Sequence, residues 1–348
     1  MTNSPLPMRS DTLYWSYFLV HRRPMCVYDW RLREKNLDFL NAVDGKYFAY
    51  LAEVHQTRLT AEPKHQAATA LRIGYHHGIE TLLTLLCAAL QAPDCVFAWI
   101  QKCRTEDLRS IVGEITTGRG QVFNKVRMDA VTWTGLSKLL FEGIEENDPA
   151  VKERLLDGYS RFWTRLSHEF LSEHNQTEYN SLKHGFRTRP GGFSLAIGTE
   201  VTPGIPAPHM RSIGGSEFGS SFLIAQPPRN SSSGRRDPIF YTRSHSVNWN
   251  PTSIAHGLEL IAISIGNVVG AIRALNVDTS SAITFQAPVD LEYFEKPWLE
   301  RPGVNNFSMD IDVDESEIAN RRTGREILEI LRGANECRNV PLPSTEAN

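Results

Sequence analysis

Seven apolar residues near the C-terminal third follow steps of 4, 3, 4, 3, 4 and 3: Ile254, Leu258, Ile261, Ile265, Val268, Ile272 and Leu275. Such spacing lays a continuous apolar seam along one face of an α-helix and suits no strand. Asn250-Pro251 precedes the seam and reads as a helix start, because proline is tolerated in the first turn. About 25 residues at 1.5 Å rise give a helix of about 37 Å, the spine of a bundle. Ala262, Gly266 and Gly270 form a second row of small residues, where another helix backbone is expected to approach closely. The most apolar part, LIAISIGNVVGAI over 260–272, is shorter than the roughly 20 residues that cross a bilayer, so no membrane span is expected.

The rest of the chain supports a bundle up to about residue 190. The pattern from Trp30 to Arg58 suits helix with a break near Asp44-Gly45. Pro63 starts a second helix that runs to a stop before Pro93, with Leu71, Tyr75, Ile79, Leu82 and Leu86 as its apolar stripe. Shorter helices are expected over 94–116 and 129–145. Asp148-Pro149 then caps a long helix continuing through RLLDGYSRFWTRLSHEFLSEHN. After Pro190 the texture turns to strands, FSLAIG (193–198), SSFLIAQ (220–226) and IFYTRSHSVNW (239–249). Gly, Pro and Ser fill the spacers, including PPRNSSSGRRDP at 227–238, a mobile tip by composition. The reading is a mainly α fold, a bundle of five to seven helices with a small inserted antiparallel β-sheet. Residues 1–10 are loose, 11–290 form the bundle domain with its β insertion at about 190–250, and 291–348 form an acidic C-terminal extension. That extension holds a possible strand FSMDIDV (307–313), a helix near 321–332 and a polar tail.

Composition narrows the function classes. Apolar residues make up 41% and charged residues 22%, as in a folded globular chain, and the net charge of −3 excludes a strongly cationic polyanion binder. The five cysteines, Cys26, Cys87, Cys95, Cys103 and Cys337, are odd in number and none has Cys-x-x-Cys spacing, which fits a reducing, cytoplasmic setting. Charge is nevertheless segregated. Residues 180–250 hold eight basic against three acidic side chains, and residues 291–318 eight acidic against two basic. The basic stretch suits a nucleic-acid backbone; alternatively the two stretches face each other within one molecule.

The most chemically pointed segment is EYNSLKHGFRTRPGG, Glu178 to Gly192. Asn180 and His184 lie four apart, on one helix face. Histidine is suited to proton transfer near neutral pH, and asparagine orients an imidazole or a phosphate oxygen. Lys183, Arg187 and Arg189 supply cations for phosphate, with glycines at 185, 191 and 192 offering backbone amides to an anion. A helix terminus explains part of the same stretch: Gly185 as C-terminal glycine, Lys183 and His184 at the negative end of the dipole.

Asn180-x-x-x-His184 at the end of a late bundle helix resembles the motif of HEPN (higher eukaryotes and prokaryotes nucleotide-binding) domains. In that motif an arginine precedes the polar residue and histidine. Here Tyr179 stands at the arginine position, with Glu178 before it. The resemblance covers roughly residues 30–190. It implies an all-helical and commonly dimeric domain, an RNA or nucleotide site, and a metal-independent ribonuclease of toxin or defence systems that needs no cofactor. On that reading His184, Arg187 and Asn180 are catalytic and Lys183 and Arg189 bind substrate.

On the Pro63 helix, Arg72, His76, Glu80 and Thr84 form a polar stripe. It reads as an exposed ion-paired face, or as substrate-binding groups in which Glu80 orients His76 or His184. The pairs His77-x-x-Glu80 and His256-x-x-Glu259, with His168-Glu169 and Glu173-His174, suggest a metal-dependent bundle enzyme as a further alternative. Tyr14, Trp15, Tyr17 and Phe18 either stack bases or anchor the first helix as a hydrophobic staple. A non-enzymatic interaction or scaffold protein stays open beside the RNA-directed reading.

Overall fold

The computed structural model describes residues 15–119, 121–141, 148–184, 187–205, 207–226, 240–276, 285–299, 302–310 and 322–338. Residues 1–10, expected to be loose, Tyr14, the 227–238 spacer, Gly185 and the last ten residues of the polar tail lie outside them.

The first element is a hairpin rather than a staple: β1 (Trp15–Val20) pairs antiparallel with β2 (Arg23–Tyr28), Trp15 opposite Tyr28. Successive side chains of a strand point to opposite faces, so Ser16, Phe18 and Val20 are buried while Trp15 and Tyr17 are exposed. Aromatic and β-branched residues at period two favour this over helix. Two helices follow, α1 (Leu32–Ala42) and α2 (Lys46–Gln56), broken where expected. A Cβ on Gly45 would meet the Ala262 carbonyl oxygen at 2.7 Å, so only glycine lets the chain pass there.

The long α3 (Lys64–Gln91) starts directly after Pro63, and its stripe Leu71, Tyr75, Ile79, Leu82 and Leu86 is buried. Short helices α4 (Val96–Lys102), α5 (Thr105–Thr117) and α6 (Trp133–Leu140) lead to α7 (Pro149–Leu171), capped by Asp148, which accepts from the Ala150 amide at 2.8 Å. The helix does not continue through Asn175. Arg109 donates to the terminal carbonyls of Phe170 and Leu171, at 2.5 and 2.7 Å, and Ser172 adopts extended backbone. A new helix, α8 (Glu173–Lys183), begins there.

Strands β3 (Thr188–Pro190), β4 (Ser194–Ile197), β5 (Arg211–Gly215), β6 (Gly219–Gln226) and β7 (Tyr241–Asn248) follow, then the spine helix α9 (Pro251–Asn276). Beyond it come a 3-10 turn (Leu291–Phe294), α10 (Lys296–Leu299), β8 (Asn306–Asp310) and α11 (Gly324–Arg338). The main sheet is antiparallel in the order β3-β6-β7-β8, with β4 and β5 as a separate pair. The molecule is thus mainly α with a small antiparallel sheet whose strands precede α9, except β8, which follows it.

The boundary expected at 290 is not a structural one. β8 completes the sheet, and Phe294 is buried with its ring 4.9 Å from that of Tyr159. β8, from the acidic stretch, pairs with β7, from the basic one.

Six members of the α9 seam are buried; Leu275, at 54% exposure, is not. With 26 residues and a mean hydropathy of 1.7 over its most apolar window, α9 extends well beyond the 260–272 stretch, and by composition reaches the length of a bilayer span. Its packing against α2 and α3 accounts for that apolarity. Of the small-residue row, Ala262 does meet a close backbone, that of Gly45; other close approaches to α9 are made by glycines outside the row. Gly266 has open space around it, whereas a Cβ on Gly78 of α3 would meet Ile261 at 3.1 Å and one on Gly257 would meet the Tyr75 ring at 2.6 Å. Gly257→Val should therefore destabilise the fold by about 1–3 kcal/mol through overpacking, while Gly266→Val should cost less than about 1 kcal/mol. Thermal melts of the two variants check this; equal shifts would show that α3 and α9 do not meet at Gly257.

Candidate functional site

Helix α8 has two chemically different faces. At about 100° per residue, Glu178 and Leu182 point inward, and Asn180, Lys183 and His184 lie roughly opposite. The inward face is organised by one carboxylate. Glu178 is fully buried. Its Oε2 accepts from Arg72 Nη2 at 2.6 Å, Arg72 Nε at 3.0 Å and His76 Nε2 at 3.2 Å. Its Oε1 accepts from Ser220 Oγ at 2.5 Å and Trp249 Nε1 at 3.1 Å. One side chain thus joins α3, α8, β6 and the residue that follows β7. Arg72 also donates to Asn175 Oδ1 at 3.3 Å.

Electrostatics fixes the protonation states. Burial alone would raise the Glu178 pKa, but the adjacent Arg72 charge and the hydrogen bonds of His76 and Arg72 outweigh it and hold the carboxyl well below the usual range. Burial and the Arg72 charge push the His76 pKa down against the pull of Glu178. His76 is therefore neutral, and its Nε2–H is the hydrogen that Glu178 accepts. The Arg72–His76–Glu80 stripe is accordingly not an exposed ion-paired face. Arg72 and His76 are buried and both serve Glu178. Glu80 orients neither His76 nor His184. It accepts from Tyr179 Oη at 3.1 Å, with Lys183 Nζ 3.9 Å away.

The outward face carries most of the residues singled out by sequence. Asn180, Lys183 and His184 are exposed. Arg187 is exposed too, and its amide donates to the Ser181 carbonyl at 2.9 Å, folding it back against the end of α8. Arg189 is exposed on β3, an edge strand of the sheet. Tyr179, at the motif's arginine position, stacks on His76 with ring centroids 5.2 Å apart. Burial, reinforced by the Glu80 charge, raises its pKa above the ordinary tyrosine value, so it stays a hydrogen-bond donor. The amides of Gly191 and Gly192 are not available to an anion: they donate to the carbonyls of Gly219 and Glu217 at 3.0 and 2.9 Å.

Arg72 stands apart from this cluster. It borders a cleft of about 390 Å³ between the start of α8, the start of α9 and α10, shared with Trp249, Trp298 and Asn306. A second cleft of about 370 Å³ lies between α3 and the start of α5, and Glu80 lines it. The paired His and Glu residues of the metal alternative are dispersed. Glu259 accepts from Tyr293 and Glu169 from Trp298, and among the described residues no three His, Cys, Asp or Glu side chains gather where they could hold a metal ion. Comparison with known protein families, curated proteins and solved structures finds no match to this chain.

Sequence reasoning missed the centre of this arrangement, Glu178 with its partners Ser220 and Trp249. An acidic residue inside a helix gives no local sign of burial; the available signal was the Arg72–His76 spacing, which sets two donors on one helix face. Glu178→Gln would leave the buried Arg72 charge unpaired and should destabilise the protein by about 3–5 kcal/mol. The pH dependence follows from the signs. His76 stays neutral in the fold while the unfolded chain takes up a proton below the ordinary value of 6.5, so stability falls as pH drops through that point. Glu178 stays ionised in the fold while the unfolded chain protonates near 4.5, so stability falls further below that. Denaturant melts from pH 7 to pH 3 should show a shallower loss below pH 4.5 for Glu178→Gln than for the parent; parallel curves would contradict the assignment.

Proposed function

We propose that the end of α8, continued into β3, is an RNA-binding surface of a HEPN-like protein, with His184 as its proton-transfer group. One observation supports this above the others. Asn180, Lys183, His184, Arg187 and Arg189 are all exposed within ten residues, and among the described residues neither Arg187 nor Arg189 has an ion-pair partner. Cations held at the surface without counter-charges release counterions when they meet phosphates, which is the main source of affinity for a nucleic-acid backbone. The rigid seat of α8 on Glu178 supplies the preorganisation that such a site requires.

The chemistry that fits these groups is attack of a ribose 2′-hydroxyl on the adjacent phosphate. The 2′-oxygen forms a bond to phosphorus, the bond to the 5′-oxygen breaks, and a cyclic phosphate results. His184 accepts the 2′ proton or gives one to the leaving oxygen. Arg187 and Lys183 face the charge that gathers on the phosphoryl oxygens, and Asn180 holds a phosphate oxygen or the imidazole. Tyr179 supplies no cation, so Arg187 stands in for the motif arginine from the far side of the histidine.

Affinity for a single-stranded RNA should fall with salt. Arg187→Ala should weaken binding and reduce the salt slope by about 0.7, the share of a single neutralised phosphate. His184→Ala should bind nearly as the parent does and lose about 10²–10⁴ in cleavage rate, measured with a chelator present. Fluorescence anisotropy at two salt concentrations and a gel cleavage assay read both effects. Absence of salt-dependent binding would overturn the proposal and favour an interaction protein.

A further inference from the structure

The cleft between α3 and the start of α5 adjoins the proposed RNA surface through one residue. Glu80 lines the cleft, and the same side chain accepts from Tyr179 and stands 3.9 Å from Lys183, both on α8. The walls are mainly apolar, with Phe39, Val43, Leu85, Ile100 and Leu108 beside His77 and the threonines at 81, 84 and 105. About 370 Å³ falls in the range of small-ligand clefts. Among the described residues Glu80 is the cleft's single carboxylate, and no hydrogen bond uses its Oε1. Arg104, the single Lys or Arg lining the cleft, is engaged by Asp107 at 3.1 Å. Burial pushes the Cys103 thiol in the wall up to about 12, so it is no nucleophile.

We propose, resting on the RNA reading above, that this cleft is a base-specificity site that takes a guanine of the bound RNA. The apolar walls suit the faces of a planar base, and the carboxylate suits an edge that carries donors. Guanine presents two adjacent donors, N1–H and the N2 amino group, which match the two oxygens of one carboxylate. Uracil offers one donor flanked by carbonyl oxygens that the carboxylate repels, and adenine and cytosine offer an amino group beside an acceptor nitrogen. Tyr179 holds Oε2 in place while that oxygen keeps a lone pair for the base. The Lys183 contact is at the loose end of ion pairing, and its side chain is half exposed, so it turns to the phosphate of the same nucleotide without breaking a tight bond. Single-stranded RNA is read in this way elsewhere in general, by bases splayed out and bonded on their pairing edges.

The test compares three short oligonucleotides by fluorescence anisotropy: all-uridine, the same with one guanosine, and the same with inosine there, which keeps N1–H and lacks the amino group. The guanosine oligonucleotide should bind the parent about tenfold or more tighter than all-uridine, with inosine between them. Glu80→Gln should erase that preference, since an amide offers one acceptor and one donor. Thr105→Trp, at an exposed rim position, should erase it by blocking the mouth while leaving the core intact. Arg187→Ala should weaken all three ligands alike and preserve the preference. Equal binding of uridine and guanosine oligonucleotides by the parent would overturn the guanine site and leave the RNA surface standing. Binding of none would overturn both.

Discussion

A carboxylate with no access to water is tolerable only if every lone pair finds a donor and the charge finds a partner. Glu178 meets that demand with five hydrogen bonds from four residues, and the four come from distant parts of the chain: Arg72, His76, Ser220 and Trp249. The geometry of the whole junction follows. Helix α8 is fixed in rotation, because turning it would strip Glu178 of its donors. The sheet is fixed against the bundle, because Ser220 on β6 and Trp249 after β7 donate to the same oxygen. Arg72 is fixed in its turn, held between Glu178 and Asn175.

Fixing the rotation of α8 decides what the molecule shows to solvent. The face opposite Glu178 carries Asn180, Lys183 and His184; the Arg187 amide bonds back to the Ser181 carbonyl, and Arg189 lies exposed on edge strand β3. Tyr179, on the flank between the two faces, reaches Glu80 and so ties α8 to the rim of the cleft beside α5. A charged surface, the exposed His184 imidazole and a carboxylate-lined cleft therefore share one support. Glu178 of the buried network and Asn180 and Lys183 of the exposed cluster sit on opposite faces of the same eleven-residue helix.

The parts of this architecture that local pattern dictates were legible in the sequence. The α9 seam, the α3 stripe and the Asp148-Pro149 start rest on periodicity and capping, which act over one or two turns. What escaped depends on contacts distant in sequence. Glu178 is buried because Arg72 lies 106 residues away and yet within 2.6 Å. The strand at 306–310 was legible as a strand, but its place in the sheet depends on the free edge that β7 offers. The break at Ser172 depends on Arg109 from another helix. Ser16, Phe18 and Val20 do alternate with exposed residues, and counting that period would have separated the hairpin from a helical staple. The shared exposed face of Asn180 and His184 follows from their spacing alone; the immobilisation of Arg72 by Glu178 does not.

The central claim is that the end of α8 is where RNA sits. Photo-crosslinking of a thiouridine-labelled RNA, with the attachment points located by peptide mass spectrometry, tests it without relying on any substitution. The account predicts attachment within the peptides that hold Lys183 to Arg189 and, for a label placed beside a guanosine, within those lining the α3–α5 cleft. Attachment concentrated instead on the exposed aromatic face of the N-terminal hairpin, at Trp15, Tyr17 or Tyr28, would contradict it.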